Sequence, residues 1–162
     1  METKEMLDAY IGRMGPLADT LDADDAHEIA QVFLAYKFGL WEHVIRLCTR
    51  LLPETGNGDL HEIIRAALRI VLASATARRM SSPTVPDSYS FDSSAEPFLV
   101  LPRTRDSAGY EPAYQLDMAL LLLYAAAYRA SPPDREALAE QEEGIIIIID
   151  TYRPESEKNV KA

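Results

Sequence analysis

The feature that most constrains the fold is a stripe of apolar residues between positions 60 and 75. The apolar side chains recur there every three or four residues: Leu60, Ile63, Ile64, Ala67, Leu68, Val71, Leu72 and Ala75. That spacing places them on one face of an α-helix, whereas a half-buried strand alternates at every second position. Asp59 and Glu62 have the spacing of a capping box, so the helix is predicted to begin there and to end near Met80.

The first forty residues are predicted to form two helices. Residues 3–14 have a short apolar stripe, and the Gly15-Pro16 pair interrupts it. The second helix is predicted to begin at Asp22 or Asp24, because an aspartate oxygen accepts a hydrogen bond from the free N–H groups of a first turn.

A third helix is predicted between Gly39 and Pro53. Glycine adopts the left-handed conformation that ends many helices, so Gly39 closes the second helix and the third begins near Leu40. Proline lacks an N–H group, and Pro53 therefore ends the third helix. Its apolar positions again follow helical spacing: Trp41, Val44, Ile45, Cys48, Leu51 and Leu52.

Residues 81–112 are of a different character. This stretch has five prolines, seven serines and no helical period, which predicts one long loop. Its aromatic and aliphatic side chains indicate an ordered loop that docks on the domain. Pro112 suits the first turn of the next helix, predicted over residues 113–130. That helix is apolar nearly all round, as expected of a central helix packed on several sides.

A run of five isoleucines, Ile145 to Ile149, has two interpretations. The preceding residues are strong helix formers, which favours a last helix beginning after Ser131. β-branched side chains favour a strand, which would be buried on both faces. In the helical interpretation the extra isoleucines lie beneath the long loop or form a face for homo-oligomerisation. Residues 155–162 are predicted to be a disordered tail.

These elements predict a single all-α domain over residues 1–162. Five or six helices are expected, arranged as stacked antiparallel hairpins or as an irregular bundle, with one long ordered loop. A chain of 162 residues can bury about 70% of its unfolded surface, so its core needs no metal or disulfide.

The charge of the chain restricts its partners. The net charge is −10, and residues 1–40 contribute eight acidic and three basic side chains. Residues 41–80 instead have six arginines and four acidic side chains. Such an acidic protein repels nucleic-acid phosphates and anionic membrane surfaces, so we expect neither partner.

The N-terminal residues, the lengths of the apolar runs and the single cysteine predict a cytoplasmic protein. The charged N-terminal residues do not resemble a signal peptide, and the longest near-apolar run, residues 118–128, is too short to cross a bilayer. Cys48 is the single cysteine, so no intramolecular disulfide is possible. Its neighbours Leu47 and Leu51 predict a buried small side chain rather than a reactive thiol.

The stretch "AYKFGLWEHVIRLCTRLLP" resembles a tetratricopeptide-repeat helical hairpin over about 30 residues. Gly39 stands at the tight turn, Trp41 follows two residues later, and Pro53 closes the pair. Val44 departs from the alanine usual at its position, and no clean second copy follows. The resemblance implies stacked helical hairpins whose concave face binds a peptide or protein, and it implies no catalytic residues.

Motifs for catalysis or cofactor binding are not found in the sequence. His27 and His61 each precede a glutamate, but neither has the second histidine four residues later that a zinc-hydrolase helix requires. The acids in residues 22–28 lack the glycine and alternating oxygens of a calcium loop. We therefore expect no metal and no cofactor, and we interpret the acids as a charged helix start.

Arginines four residues apart are the remaining indication of function. Arg46 and Arg50 lie on one predicted helix, and Arg65 and Arg69 lie on the next. If these helices pack antiparallel, the four guanidinium groups form a strip suited to carboxylates, unless they pair with the protein's own acids. With Trp41, they are the predicted partner-binding residues.

The leading hypothesis is a non-enzymatic adaptor or chaperone-like module that binds a protein or peptide. One alternative is a small acidic immunity or inhibitor protein that covers a basic site on a toxin or enzyme. Another is an enzyme whose site lies beneath the loop of residues 81–112.

Overall fold

The computed structural model describes residues 3–52, 60–80, 91, 98 and 111–131. These residues form six helices and, within the described ranges, no strand, so the fold is all-α as predicted. The helices are α1 (Thr3–Gly12), α2 (Gly15–Ala18), α3 (Ala23–Lys37), α4 (Trp41–Leu51), α5 (Glu62–Arg79) and α6 (Glu111–Ala130). None of these helices is long and apolar enough to span a membrane.

Helices α3 to α6 form a ring in which each helix packs on its two neighbours. Helix α4 packs between α3 and α5, and α6 closes the ring by packing on both α5 and α3. Glu28 near the start of α3 pairs with Arg50 at the end of α4, at 3.0 Å between Oε1 and a guanidinium nitrogen, so these helices run antiparallel. Arg78 at the end of α5 lies over Trp41 at the start of α4, so α4 and α5 also run antiparallel.

Helix α6 is the centre of the hydrophobic core. It contacts α1 and α2 as well as α3 and α5, and every residue from Met118 to Ala127 is buried. The rings of Tyr124 on α6 and Phe33 on α3 lie 5.3 Å apart, centroid to centroid. The prediction of a central helix is confirmed, and its cause is visible in the sequence, because an apolar helix surface on all sides needs neighbours on all sides.

The helix ends agree with the predictions for α3, and for α5 the end near Met80 agrees while the start differs. Asp22 is the N-cap of α3, and its Oδ1 accepts a hydrogen bond from Asp25 N at 2.8 Å. Gly39, with φ of 72°, ends the hairpin turn after α3. The predicted cap of α5 at Asp59 is wrong: the N-cap is His61, whose Nδ1 accepts a hydrogen bond from Ile63 N at 3.1 Å.

The observed boundaries of α1, α2 and α6 also differ from the predicted ones. Helix α1 ends at Gly12 rather than at residue 14, and Gly15-Pro16 begins the one-turn helix α2 instead of a loop. Helix α6 begins at Glu111, so Pro112 lies in its first turn. Proline is tolerated there because the N–H groups of a first turn have no partner within the helix.

Two residues of the 81–112 stretch are described outside α6, and both contact the helical core. Phe91 N donates to Gln115 Oε1 at 2.9 Å, and the Tyr10 hydroxyl donates to Phe98 O at 2.6 Å. Both phenylalanine side chains are partly buried against the core. The rest of the loop before α6, the isoleucine run 145–149 and the tail 155–162 lie outside the described residues, and so does the proposed enzyme site beneath the loop.

Candidate functional site

An open depression lies at the end of the ring where α3 turns into α4. Residues 39–43 line it from the turn and the first turn of α4, and Arg46 and Arg79 line it from α4 and from the end of α5. Its volume is about 470 Å³, within the range of roughly 300–1,000 Å³ typical of ligand sites. The sequence folds this way locally because Gly39 supplies the left-handed turn that brings α4 back along α3.

Exposed apolar side chains lie beside this depression. Among the described residues, the large apolar side chains that are exposed are Phe38 (61%), Leu40 (53%) and Met80 (74%). Phe38 and Leu40 flank the glycine turn, and Met80 follows Arg79 at the end of α5. Single exposed apolar residues are common on protein surfaces, but three at one end of a molecule form a patch of the kind that contacts partners.

We call this region the bundle-end surface and define it by Phe38, Leu40, Trp41, Arg46, Arg79 and Met80. Its charge is opposite to that of the whole chain. The segments 37–46 and 78–80 contain four basic side chains and one acidic side chain, a net charge of +3 in a protein whose net charge is −10. Among the described residues, neither Arg46 nor Arg79 has a carboxylate within 4 Å.

Trp41 is held in place by aromatic and cationic neighbours. Its ring meets the Tyr36 ring edge-on at 5.0 Å between centroids, and the Arg78 guanidinium carbon lies 5.9 Å from its centroid. Trp41 is half-buried, so part of the indole packs on the core and part lines the depression. A large aromatic side chain that is already ordered loses little conformational entropy when it contacts a partner.

Beneath Trp41, a polar group is buried between α3, α5 and α6. Burial raises the pKa of the Tyr36 phenol above its ordinary value of 10.0, and the nearby Arg78 guanidinium opposes this shift. The Tyr36 hydroxyl faces Ser74, yet neither oxygen has a partner with hydrogen-bond geometry among the described residues. Burying these two hydroxyl oxygens lowers the free energy of unfolding.

The first turn of α4 lines the depression with Trp41, Glu42 and His43. Leu40 is the N-cap and provides no side-chain acceptor for the first N–H groups of α4. The start of a helix has a partial positive charge, so it adds to the positive charge of the two arginines.

The structure brings together some of the predicted binding residues and separates others. Trp41 and Arg46 line the same depression. Arg50 lies outside it and is paired with Glu28. Helices α4 and α5 do pack antiparallel, but Arg65 and Arg69 are not part of the depression: Arg69 is exposed, and Arg65 is half-buried with a buried Nε.

The members of the surface that the sequence analysis missed are Phe38, Leu40, Arg79 and Met80. Periodicity assigns residues to helix faces, and the first two lie in the turn between helices, where no period applies. The sequence signal for them is their position on either side of Gly39, since a tight turn between two helices faces solvent.

The histidines and the cysteine do not form a reactive site in the described part of the chain. His27 is exposed on α3, His43 lines the depression, and His61 caps α5. No group of three potential metal ligands occurs among the described residues. Cys48 is fully buried, as predicted, and burial raises the pKa of its thiol to about 12.

Comparison with known protein families, curated proteins and solved structures gives no match. The resemblance to a tetratricopeptide-repeat hairpin stays a prediction. Its glycine turn is formed by Gly39, while the packing of α3 on α6 closes the four helices into a ring.

Proposed function

We propose that this protein is a non-enzymatic helical module that binds a protein or peptide partner, and that the bundle-end surface is its contact site. One observation carries the proposal: the large apolar side chains exposed in the described residues lie at one end of the fold, beside a depression lined by Trp41 and by two arginines that pair with no carboxylate in that part of the chain. Tryptophan and arginine are enriched among the residues that dominate binding energy in interfaces, and apolar side chains at the centre exclude water.

Affinity capture from native lysate, followed by mass spectrometry, tests the proposal with three double variants of equal charge change. Arg46→Glu with Arg79→Glu reverses two positive charges on the bundle-end surface. Arg65→Glu with Arg69→Glu reverses the charge of the predicted arginine strip on α5. Arg13→Glu with Arg129→Glu is the control, because both arginines are exposed outside the bundle-end surface. Circular dichroism and thermal unfolding check that each variant folds.

The expected result is a partner that binds the natural chain and the control but is lost from the bundle-end variant. Loss on the α5 variant alone assigns binding to the arginine strip predicted from the sequence. A partner that all three variants retain contradicts both surfaces.

A small acidic inhibitor is the second candidate, and exposed acids favour it. Asp19 and Asp24 are exposed around the start of α3, in a chain of net charge −10. Salt weakens binding through either surface, so salt dependence does not separate the two candidates. Charge reversal does: Asp19→Lys with Asp24→Lys abolishes binding to a basic partner and leaves binding at the bundle end intact.

A further inference from the structure

We propose that the partner at the bundle-end surface is an acidic peptide segment with a large apolar side chain. The apolar side chain enters the depression beside Trp41, and carboxylates next to it pair with Arg46 and Arg79. This inference rests on the proposed function and names the chemistry of its partner.

The arginines specify carboxylates. Arg46 and Arg79 line one depression from different helices, and neither has an acidic partner among the described residues. Arg50, one turn after Arg46, is already paired with Glu28, so its guanidinium is less available to a partner's carboxylate. A guanidinium donates two parallel hydrogen bonds to a carboxylate, so two arginines across a depression fit two acidic side chains or one acidic side chain and a chain terminus.

The depression specifies an apolar side chain between those carboxylates. Leu40 and Trp41 contribute its apolar lining, and Phe38 and Met80 extend the apolar surface beyond it. The depression is open on one side, which suits a side chain that remains attached to a larger molecule. An apolar centre beside charged groups is the common arrangement of protein interfaces.

Charge argues against the other occupants of such a surface. A nucleic acid meets a net charge of −10, which opposes the approach of its phosphates. A second copy of this chain has the same net charge, so long-range repulsion also opposes self-association through this surface. A short acidic segment of an otherwise neutral or basic partner avoids this repulsion and gains the local attraction.

A displayed library of random peptides of about twelve residues tests the inference even though the natural partner is unidentified. The library is selected on the natural chain, on the Arg46→Glu/Arg79→Glu variant and on the Arg13→Glu/Arg129→Glu control. We expect the natural chain and the control to enrich peptides with at least two Asp or Glu residues next to Trp, Phe or Leu. The bundle-end variant should not enrich them.

The most enriched peptide is then synthesised with two altered versions, and its dissociation constant is measured by fluorescence anisotropy. Replacing its acids by the corresponding amides, or its large apolar residue by serine, should each weaken binding about tenfold or more. The Arg46→Glu/Arg79→Glu variant should weaken binding to a similar extent. The Arg13→Glu/Arg129→Glu control should leave the dissociation constant unchanged.

The outcomes separate this inference from the proposed function. Enrichment of neutral or basic peptides that depends on Arg46 and Arg79 overturns the acidic segment but keeps the surface as a binding site. No enrichment that depends on these arginines overturns the inference, whatever the lysate capture gives. A dimer of the natural chain in sedimentation equilibrium that the bundle-end variant loses assigns the surface to self-association and also overturns it.

Discussion

Gly39 shows how one residue connects the chain's local conformation to its binding surface. Its φ of 72° lies in the left-handed region, and its position brings Trp41 and Leu40 to the depression. A Cβ at this position would meet Trp41 Cζ2 at 3.6 Å, an ordinary contact. The constraint on residue 39 is therefore backbone conformation rather than space.

Gly39→Ala is accordingly expected to lower the free energy of unfolding by about 1–2 kcal/mol, because an alanine is strained in the left-handed region. Gly12→Ala is the matched control. Gly12 lies in α1 with a φ outside that region and open space at its Cβ position. It should be neutral or stabilising by about 0.4–1 kcal/mol. Urea denaturation measures both, and equal effects for the two variants would contradict the argument.

Cys48 has a consequence at alkaline pH. Burial raises the pKa of its thiol from 9.0 to about 12, so the native thiol stays protonated where the unfolded thiol ionises. Between these two values the unfolded state binds fewer protons, and stability falls as pH rises. Well below pH 9.0 the thiol is neutral in both states and adds no pH dependence.

The free energy of unfolding should therefore fall more steeply above pH 9.0 in the natural chain than in Cys48→Ala. Denaturant titrations at a series of alkaline pH values measure the two slopes. The other ionisable groups are the same in both proteins, so their contribution cancels in the comparison. Parallel pH curves for the two proteins would show that the buried thiol does not titrate as described.

At the scale of elements, helix ends were predictable where standard capping residues occur. Asp22 and Gly39 are typical start and stop residues, and both act as predicted. His61 is not among the preferred N-cap residues, which is why the prediction placed the start of α5 at Asp59. Its imidazole nevertheless has an acceptor nitrogen in the neutral form, and the backbone places that nitrogen 3.1 Å from Ile63 N.

The cap of α3 gives a prediction that separates a hydrogen bond from a charge. Asp22→Ala removes the acceptor for Asp25 N and should cost about 0.5–2 kcal/mol. Asp22→Asn keeps an acceptor without the charge and should cost less. Asp24→Ala removes a charge from the same turn without removing the cap, and its cost should be about 0.3–1 kcal/mol. Thermal unfolding ranks the three, and a larger loss for Asp24→Ala would exclude the capping bond as the main contribution.

At the scale of the whole molecule, helical periods indicated which faces are buried but not which helices meet. The apolar surface of α6 predicted a central helix, yet nothing in its sequence shows that it packs on both α3 and α5. Ile70 and Ser74 were not predicted in the core, although both are buried on α5. Their burial depends on the width of the interface that several helices make together, which is a tertiary property.

The candidate site also combines residues that are predictable from one helix with residues that only helix packing brings together. Trp41 and Arg46 were predicted from residue type and spacing within one helix. Arg79 joins them because α5 ends where α4 begins, and that juxtaposition depends on the antiparallel packing of the two helices. Residues contributed by two elements are thus identifiable only when the arrangement of those elements is known.

The position of α6 predicts how the molecule unfolds. Because α6 packs on α1, α2, α3 and α5, loss of its packing removes the core contacts of four helices together. Leu122 on α6 is fully buried, whereas Leu40 at the bundle end is 53% exposed. The same chemical change at these two positions should therefore have opposite consequences for stability and for binding.

Leu122→Ala should lower the free energy of unfolding by about 2–5 kcal/mol, through lost burial and the cavity left behind. Leu40→Ala should change it by no more than about 0.5 kcal/mol and should weaken partner binding instead. Far-UV circular dichroism and Trp41 fluorescence, followed in the same urea titration, should shift together for Leu122→Ala. Trp41 lies on α4, whose main packing partners are α3 and α5, the two helices that link it to α6 in the ring. Separate midpoints for the two signals would show that α3 and α4 unfold independently of α6, and the ring would not be the cooperative unit.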